Sequence, residues 1–151
     1  MSAKIAKVIL SVVAIVAVGV VAVRFNQVTL PEGAVPIVWD GEVCGDCKMH
    51  VGDPRFAAQL QTTNGDVLNF DDPGCLLDYL QSHEASTHAI YFRNYDEDGW
   101  LAESEVGFLP VGDSPMGYGI RAVAKGTPEA QDIAWAKKQV SDRPHNQHGG
   151  S

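Results

Sequence analysis

Residues 56–70 read FAAQLQTTNGDVLNF. Residues 56–61 and 67–70 each have the composition of a short strand, and Asn64-Gly65 lies between them. Asn-Gly is strongly preferred in tight hairpin turns, because both residues tolerate the left-handed backbone that such turns need. The segment therefore predicts an antiparallel β-hairpin.

The sequence after the hairpin predicts two helices and further strands. Asp72 is a suitable N-cap and Pro73 a suitable first helical residue, and leucines follow at three- and four-residue spacing. Thr127-Pro128-Glu129 predicts the start of a last helix. Strand-like stretches lie between the two helices at residues 88–95, 100–111 and 119–124. We therefore expect an α+β fold of two strand–strand–helix–strand-like units with mixed or antiparallel sheets.

The chain begins with an apolar segment between basic residues. Residues 8–23 form a run of sixteen residues without a charge, with Lys4 and Lys7 before it and Arg24 after it. A cleaved signal peptide shares this pattern. We favour an uncleaved transmembrane anchor over residues 5–24, because the flanking basic side chains can reach the headgroups and lengthen the span. Both interpretations place the rest of the chain outside the cytoplasm, on the periplasmic side, because the lysines precede the apolar run.

The remaining chain divides into a linker, one domain and a tail. Residues 25–36 contain Pro and Gly without a hydrophobic period and predict a linker, residues 37–140 predict one globular domain, and residues 141–151 predict a polar, disordered tail. The N-terminal segment holds three of the 11 basic residues, which leaves eight against 19 acidic residues. Such an acidic domain repels phosphate backbones, so we expect no nucleic-acid partner.

Residues 44–50, CGDCKMH, bring two thiols, a thioether and an imidazole together. Thiolate and thioether sulfur select Cu(I), whereas zinc does not use thioethers and prefers four ligands in a closed site. The pair Cys44 and Cys47 alone also fits zinc, redox chemistry or a structural disulfide. Met49 shifts the interpretation toward copper, while His50 fits a surface residue.

Two residues elsewhere carry sulfur that could join this site. Cys75 lies in the first turn of the predicted helix and fits a buried structural thiol. A ligand role stays open, because a helix N-terminus lowers the pKa of a thiol. Met116 lies between Pro115 and Gly117 on a predicted loop, where an exposed thioether suits metal capture and simple loop packing is the alternative.

Five short motifs of this chain, taken together and in order, resemble the NosL family. They are Cys47-x-Met49, DPRFAAQ at residues 53–59, FDDPGC at residues 70–75, Trp100-Leu101-x-x-x-Glu105 and Pro115-Met116-Gly117. NosL proteins are accessory factors of nitrous oxide reductase. They are anchored on the periplasmic side and carry Cu(I) toward the copper–sulfur centre of the reductase. The resemblance covers about residues 40–140.

The resemblance implies a fold, a metal and a ligand set. The implied fold is an α+β arrangement related to organomercurial lyase, and the implied cargo is Cu(I). The implied copper ligands fall on Cys47, Met49 and Met116. The chain departs from the family in two ways: it has an apparent transmembrane helix where typical members are lipoproteins, and it has the additional thiol Cys44, which we include as a candidate ligand. These two differences leave the client open, because the cargo could serve another copper enzyme such as a terminal oxidase.

The function we expect is that of a binding module without turnover, a metallochaperone that delivers Cu(I) to a copper enzyme. The main alternative is a thiol–disulfide oxidoreductase that acts through Cys44 and Cys47. Such motifs usually start a helix after a strand, and Asp53-Pro54 follows this one too soon for a long helix. Organomercurial-lyase activity would rest on fold analogy alone.

Overall fold

The computed structural model describes residues 9–10, 12–19 and 28–143 of the chain. The domain contains, in chain order, β1 (Ala58–Thr62), β2 (Val67–Phe70), α1 (Pro73–Ser82), β3 (Thr87–Arg93), β4 (Trp100–Ala102), β5 (Val106–Pro110), β6 (Ile120–Ala124) and α2 (Ile133–Ser141). One sheet has the strand order β2-β1-β3-β4 and the other consists of β5 and β6, and all these pairs are antiparallel. The predicted α+β class with antiparallel sheets is confirmed.

The hairpin predicted at residues 56–70 is present as β1 and β2. Gln61 pairs with Val67 at its closed end. Gly65 has a φ of 88°. This left-handed backbone is costly for most residues but readily adopted by glycine. The Asn-Gly signal therefore identified the turn correctly.

Helix α1 starts where its N-cap signal predicts. Asp72 has an extended backbone, and its side chain accepts a hydrogen bond from the N–H of Gly74 at 2.8 Å. Pro73 occupies the first helical position, where its missing N–H costs nothing. The first half of the helix is buried, so Cys75 lies in the interior together with the leucines that follow it.

A single hydrophobic core joins both sheets and both helices. Phe92 of β3 meets Phe108 of β5 edge to face, with ring centroids 5.1 Å apart. Helix α2 packs against α1 and β5 and buries Ala136 and Val140. The core also takes one face of the first sheet, through Ala58, Leu60, Phe70, Ile90 and Phe92. Cys44 and Cys75 belong to the same core.

Only the first predicted unit has the full strand–strand–helix–strand order, as β1, β2, α1 and β3. In the second, β5, β6 and α2 follow one another, and no strand follows α2 within residues 28–143. The stretch 100–111 contains a turn in which the N–H of Glu105 donates to the carbonyl of Ala102 at 2.9 Å. That turn sends β4 to the first sheet and β5 to the second.

Helix α2 begins at Ile133, so the start predicted at residues 127–129 was wrong. Before the helix, Gln131 exchanges two backbone hydrogen bonds with Phe108 of β5, at 2.9 and 2.8 Å. The side chain of Asp132 then caps the helix. The backbone of Gln131 is therefore paired with the edge of β5 before the helix begins, and Pro128 belongs to a turn.

The end of the predicted linker packs onto the first sheet. The N–H of Val35 donates to Gln59 Oε1 at 2.8 Å, and Gln59 Nε2 donates back to the carbonyl of Val35 at 3.0 Å. Gln61 Nε2 donates to the carbonyl of Gly33 at 2.7 Å. Both glutamines are fully buried. Since alternate residues of a strand face opposite sides, residues 33–35 cover the sheet face opposite to the helices.

Most of the predicted anchor, residues 5–24, lies outside the described residues, as do residues 144–151 of the predicted tail. The described part of the anchor, residues 9–10 and 12–19, is helical and exposed. No helix in the described ranges combines the length and the apolar character needed to cross a membrane. At the other end, Ser141 is still part of α2.

Candidate metal centre

Cys44, Cys47 and Cys75 meet at one point in the structure. Their three Sγ atoms all lie within 4.8 Å of one another, and all three are free thiols. Cys44 and Cys75 are buried, and Cys47 is half-buried. Within the described part of the chain, no fourth His, Cys, Asp or Glu belongs to the group. Three sulfur donors at this spacing could hold one soft metal ion.

The loop that carries the first two thiols is held tightly at the end of the hairpin. The N–H of Cys44 donates to the carbonyl of Met49, and the N–H of Gly45 donates to the carbonyl of Asn69 in β2, both at 2.8 Å. A Cβ on Gly45 would lie 3.1 Å from two ring atoms of Phe70. Glycine thus allows the loop to press onto the core. Lys48, at a φ of 65°, turns the chain back.

Hydrogen bonds stabilise Cys44 as a thiolate. The thiol of Cys75 donates to it, and the backbone N–H groups of Asp71, Asp46 and Cys47 do the same. Together they lower the pKa of Cys44 to about 5, against the opposing effect of burial. The negative charge of the metal-free site is therefore concentrated on Cys44.

The other two thiols keep their protons at neutral pH. Burial raises the pKa of Cys47 to about 11, although the N–H of Met49 acts in the opposite direction. The pKa of Cys75 is raised because its proton is donated to Cys44, and burial adds to this effect. A metal that takes more than one thiolate from this group must displace protons.

The sequence interpretation of Cys75 as a structural thiol did not anticipate this group. Helix α1 follows directly after β2, and β2 also anchors the loop of Cys44 and Cys47 through Asn69. The first turn of α1 is thereby placed beside that loop. The available signal was the position of Cys75 in the first helical turn, immediately after the hairpin, but that signal does not specify which loop packs there.

The loop of Met116 lies against the start of the same helix. The N–H of Met116 donates to Asp72 Oδ2 at 3.1 Å, and the hydroxyl of Ser114 also hydrogen-bonds this carboxylate. A Cβ on Gly74 would lie 2.0 Å from Cγ of Tyr118, so only glycine allows this close packing. Burial raises the pKa of Asp72, opposed by these hydrogen bonds. Asp72 therefore connects the helix of Cys75 to the loop of Met116.

The structure thus gathers part of the predicted ligand set and adds one residue. Cys44 and Cys47 lie together as their spacing predicts, with Cys75 as the third thiol. Met49 is 57% exposed, and Met116 is half-buried and packs against the core that contains Cys44 and Cys75. The ligand roles of these two methionines stay predictions. His50 is exposed and outside the thiol group.

No protein-family model, curated protein or solved structure matches the chain. The resemblance to the NosL family therefore rests on the sequence motifs, and the thiol group rests on the tertiary structure.

Proposed function

We propose that the chain is a membrane-anchored, extracytoplasmic metallochaperone that binds Cu(I) and delivers it to a copper enzyme. The main observation that supports this proposal is the group of three free thiols, whose Sγ atoms lie within 4.8 Å of one another. Met49 belongs to the loop of Cys44 and Cys47, and Met116 belongs to a loop bound to the helix of Cys75. The NosL resemblance supports nitrous oxide reductase as the client.

The donor set favours Cu(I) over Zn(II). Cu(I) is a soft ion that accepts thiolate and thioether sulfur. The three thiols supply the first kind of donor, and Met49 and Met116 would supply the second. A closed zinc site needs four ligands and does not draw on thioethers. The described residues supply three His, Cys, Asp or Glu ligands in this group. Zn(II) would have to complete its shell with water or with a second molecule.

The uneven exposure of the donors suits transfer. Cys44 and Cys75 are buried and would hold the ion from inside, whereas Cys47 is half-buried and Met49 is exposed. A ligand of the receiving enzyme can therefore approach on the side of Cys47 and Met49. Copper would pass by ligand exchange, with new sulfur bonds forming before the old ones have all broken.

The membrane location is supported by the sequence of the N-terminus. Residues 8–23 are uncharged, lysines precede them and Arg24 follows. Basic residues before an apolar segment favour a cytoplasmic N-terminus and an external domain. The cytoplasmic membrane, crossed once, is therefore the proposed location.

Anaerobic titration of the reduced chain with Cu(I), against a chromophoric Cu(I) chelator, tests the proposed function. We expect one Cu(I) per chain, held in competition with the chelator, and little displacement by excess Zn(II). The matched control is the triple variant in which Cys44, Cys47 and Cys75 are serine. Tight Zn(II) binding without competition for Cu(I), or equal Cu(I) binding by the control, would contradict the proposal.

A thiol–disulfide oxidoreductase is the second candidate, favoured by the three adjacent free thiols and by the lowered pKa of Cys44. The nucleophile of such an enzyme must be both ionised and accessible. Here Cys44 is ionised but only 1% exposed, and the more accessible Cys47 has a raised pKa. We therefore expect no catalytic turnover in a disulfide-reduction assay with a dithiol reductant.

A further inference from the structure

Three large apolar side chains are exposed on the segment that leads into the thiol loop. Val38 is 66% exposed, Trp39 37% and Val43 50%. We call these three residues the apolar rim. Isolated exposed apolar residues are common, but several in one short segment indicate an interaction surface.

Hydrogen bonds fix the backbone of this segment, so the exposed positions of the rim side chains are set by the fold. The N–H groups of Gly41 and Glu42 both donate to the carbonyl of Val38 at 3.1 Å. Val51 accepts from the N–H of Asp40 and donates to the carbonyl of Glu42, both at 2.9 Å. Val51 is fully buried and anchors the segment in the core. The rim side chains stay outside although the chain around them is ordered.

The N-terminal chain enters the domain beside this rim. Residues 33–35 are bound to Gln59 and Gln61, and Val38 follows three residues later. Gly33 lies nine positions after Arg24 in the chain. An extended chain of that length spans at most about 30 Å. With a membrane tether at Arg24, Gly33 would therefore lie within about 30 Å of the bilayer surface.

We infer that the apolar rim rests on the interface of the lipid bilayer. Tryptophan is favoured at this depth, because its ring is apolar and its N–H is polar. Asp40 and Glu42 lie between the rim residues and would be repelled by anionic headgroups, so the surface suits zwitterionic lipid. This inference rests on the membrane tether of the proposed function and does not depend on copper.

Fluorescence quenching in phosphatidylcholine vesicles tests the inference on the full chain. The wild type and Trp39→Phe are each reconstituted in vesicles with and without bromine on the acyl chains, and their difference isolates the emission of Trp39. Trp100→Phe and Trp135→Phe are the matched controls, because these tryptophans lie outside the rim. We expect brominated lipid to quench Trp39 at least about twofold, with little effect on the other two. Added phosphatidylglycerol should reduce the quenching of Trp39.

The outcomes separate the two levels of the proposal. A chain that floats with the vesicles but shows equal quenching of all three tryptophans keeps its tether and overturns the docking of the rim. A chain that does not float with the vesicles overturns both the tether and the docking. Neither result bears on the Cu(I) titration, which reports on the thiol group alone.

Discussion

Cys75→Ala should lower the affinity of the reduced chain for Cu(I) by at least about 100-fold, or about 2.8 kcal/mol at 1.4 kcal/mol per tenfold. The sulfur of Cys75 lies within 4.8 Å of both other thiols, where one ion can reach all three. Loss of a residue that merely supports a metal ligand already costs about 10- to 100-fold. Loss of a direct ligand should reach the upper end of that range or exceed it. Competition with a chromophoric Cu(I) chelator under anaerobic conditions measures the change.

The pH dependence of this effect distinguishes a ligand from a hydrogen-bond donor. Cys75 is the largest cause of the low pKa of Cys44, about 5 against an ordinary 9.0. Without that donor the pKa of Cys44 rises, and at about pH 7 a proton competes with copper. Near about pH 10 this competition is weaker than at about pH 7, because protons are about a thousandfold less abundant. A lost ligand, in contrast, weakens binding at both values of pH.

Urea unfolding of the metal-free variant is the necessary control, because Cys75 is fully buried. Removal of one buried sulfur should cost on the order of 1 kcal/mol in the free energy of unfolding, which leaves the fold intact. A folded variant with unchanged Cu(I) affinity at both values of pH would refute the three-thiol site. It would return the copper ligands to Cys47, Met49 and Met116.

Four further predictions address the site and its surroundings. Met116→Ala should weaken Cu(I) binding by roughly tenfold, because thioether is a weaker donor than thiolate, and should change the free energy of unfolding by less than about 1.5 kcal/mol, because the side chain is only half-buried. The same number of sulfur ligands in the X-ray absorption of wild type and variant would make Met116 a packing residue. Asp72→Ala removes the cap of α1 and the acceptor for the loop of Met116, and should cost about 2–4 kcal/mol in urea unfolding; a cost below about 1 kcal/mol would contradict the connecting role. Thiolate absorbance in the ultraviolet should fall with a midpoint at about pH 5 in the metal-free chain and not in Cys44→Ser. The pKa of Cys44 in the folded chain is below its ordinary value, so this thiolate stabilises the fold above pH 9.0, and its contribution is lost as the pH falls through about 5. A free energy of unfolding that rises on acidification through this window would contradict that sign.

The sequence by itself determined the local elements. Asn64-Gly65 specified the hairpin, and Asp72-Pro73 specified the start of α1. These signals work because turn and cap preferences depend on the backbone of a few neighbouring residues. The spacing of Cys44 and Cys47 likewise placed two thiols in one loop, because two intervening residues cannot carry them far apart.

Only the tertiary structure decided which distant parts meet. The start of α2 moved to Ile133 because Gln131 first pairs with Phe108, a partner 23 positions earlier in the chain. Cys75 became the third thiol because α1 leaves the hairpin beside the loop of Cys44. Local preferences carry no information about these neighbours, since long-range contacts form where buried surfaces fit together. The sequence therefore indicated a soft-metal loop, and packing supplied the third sulfur and the buried side of the site.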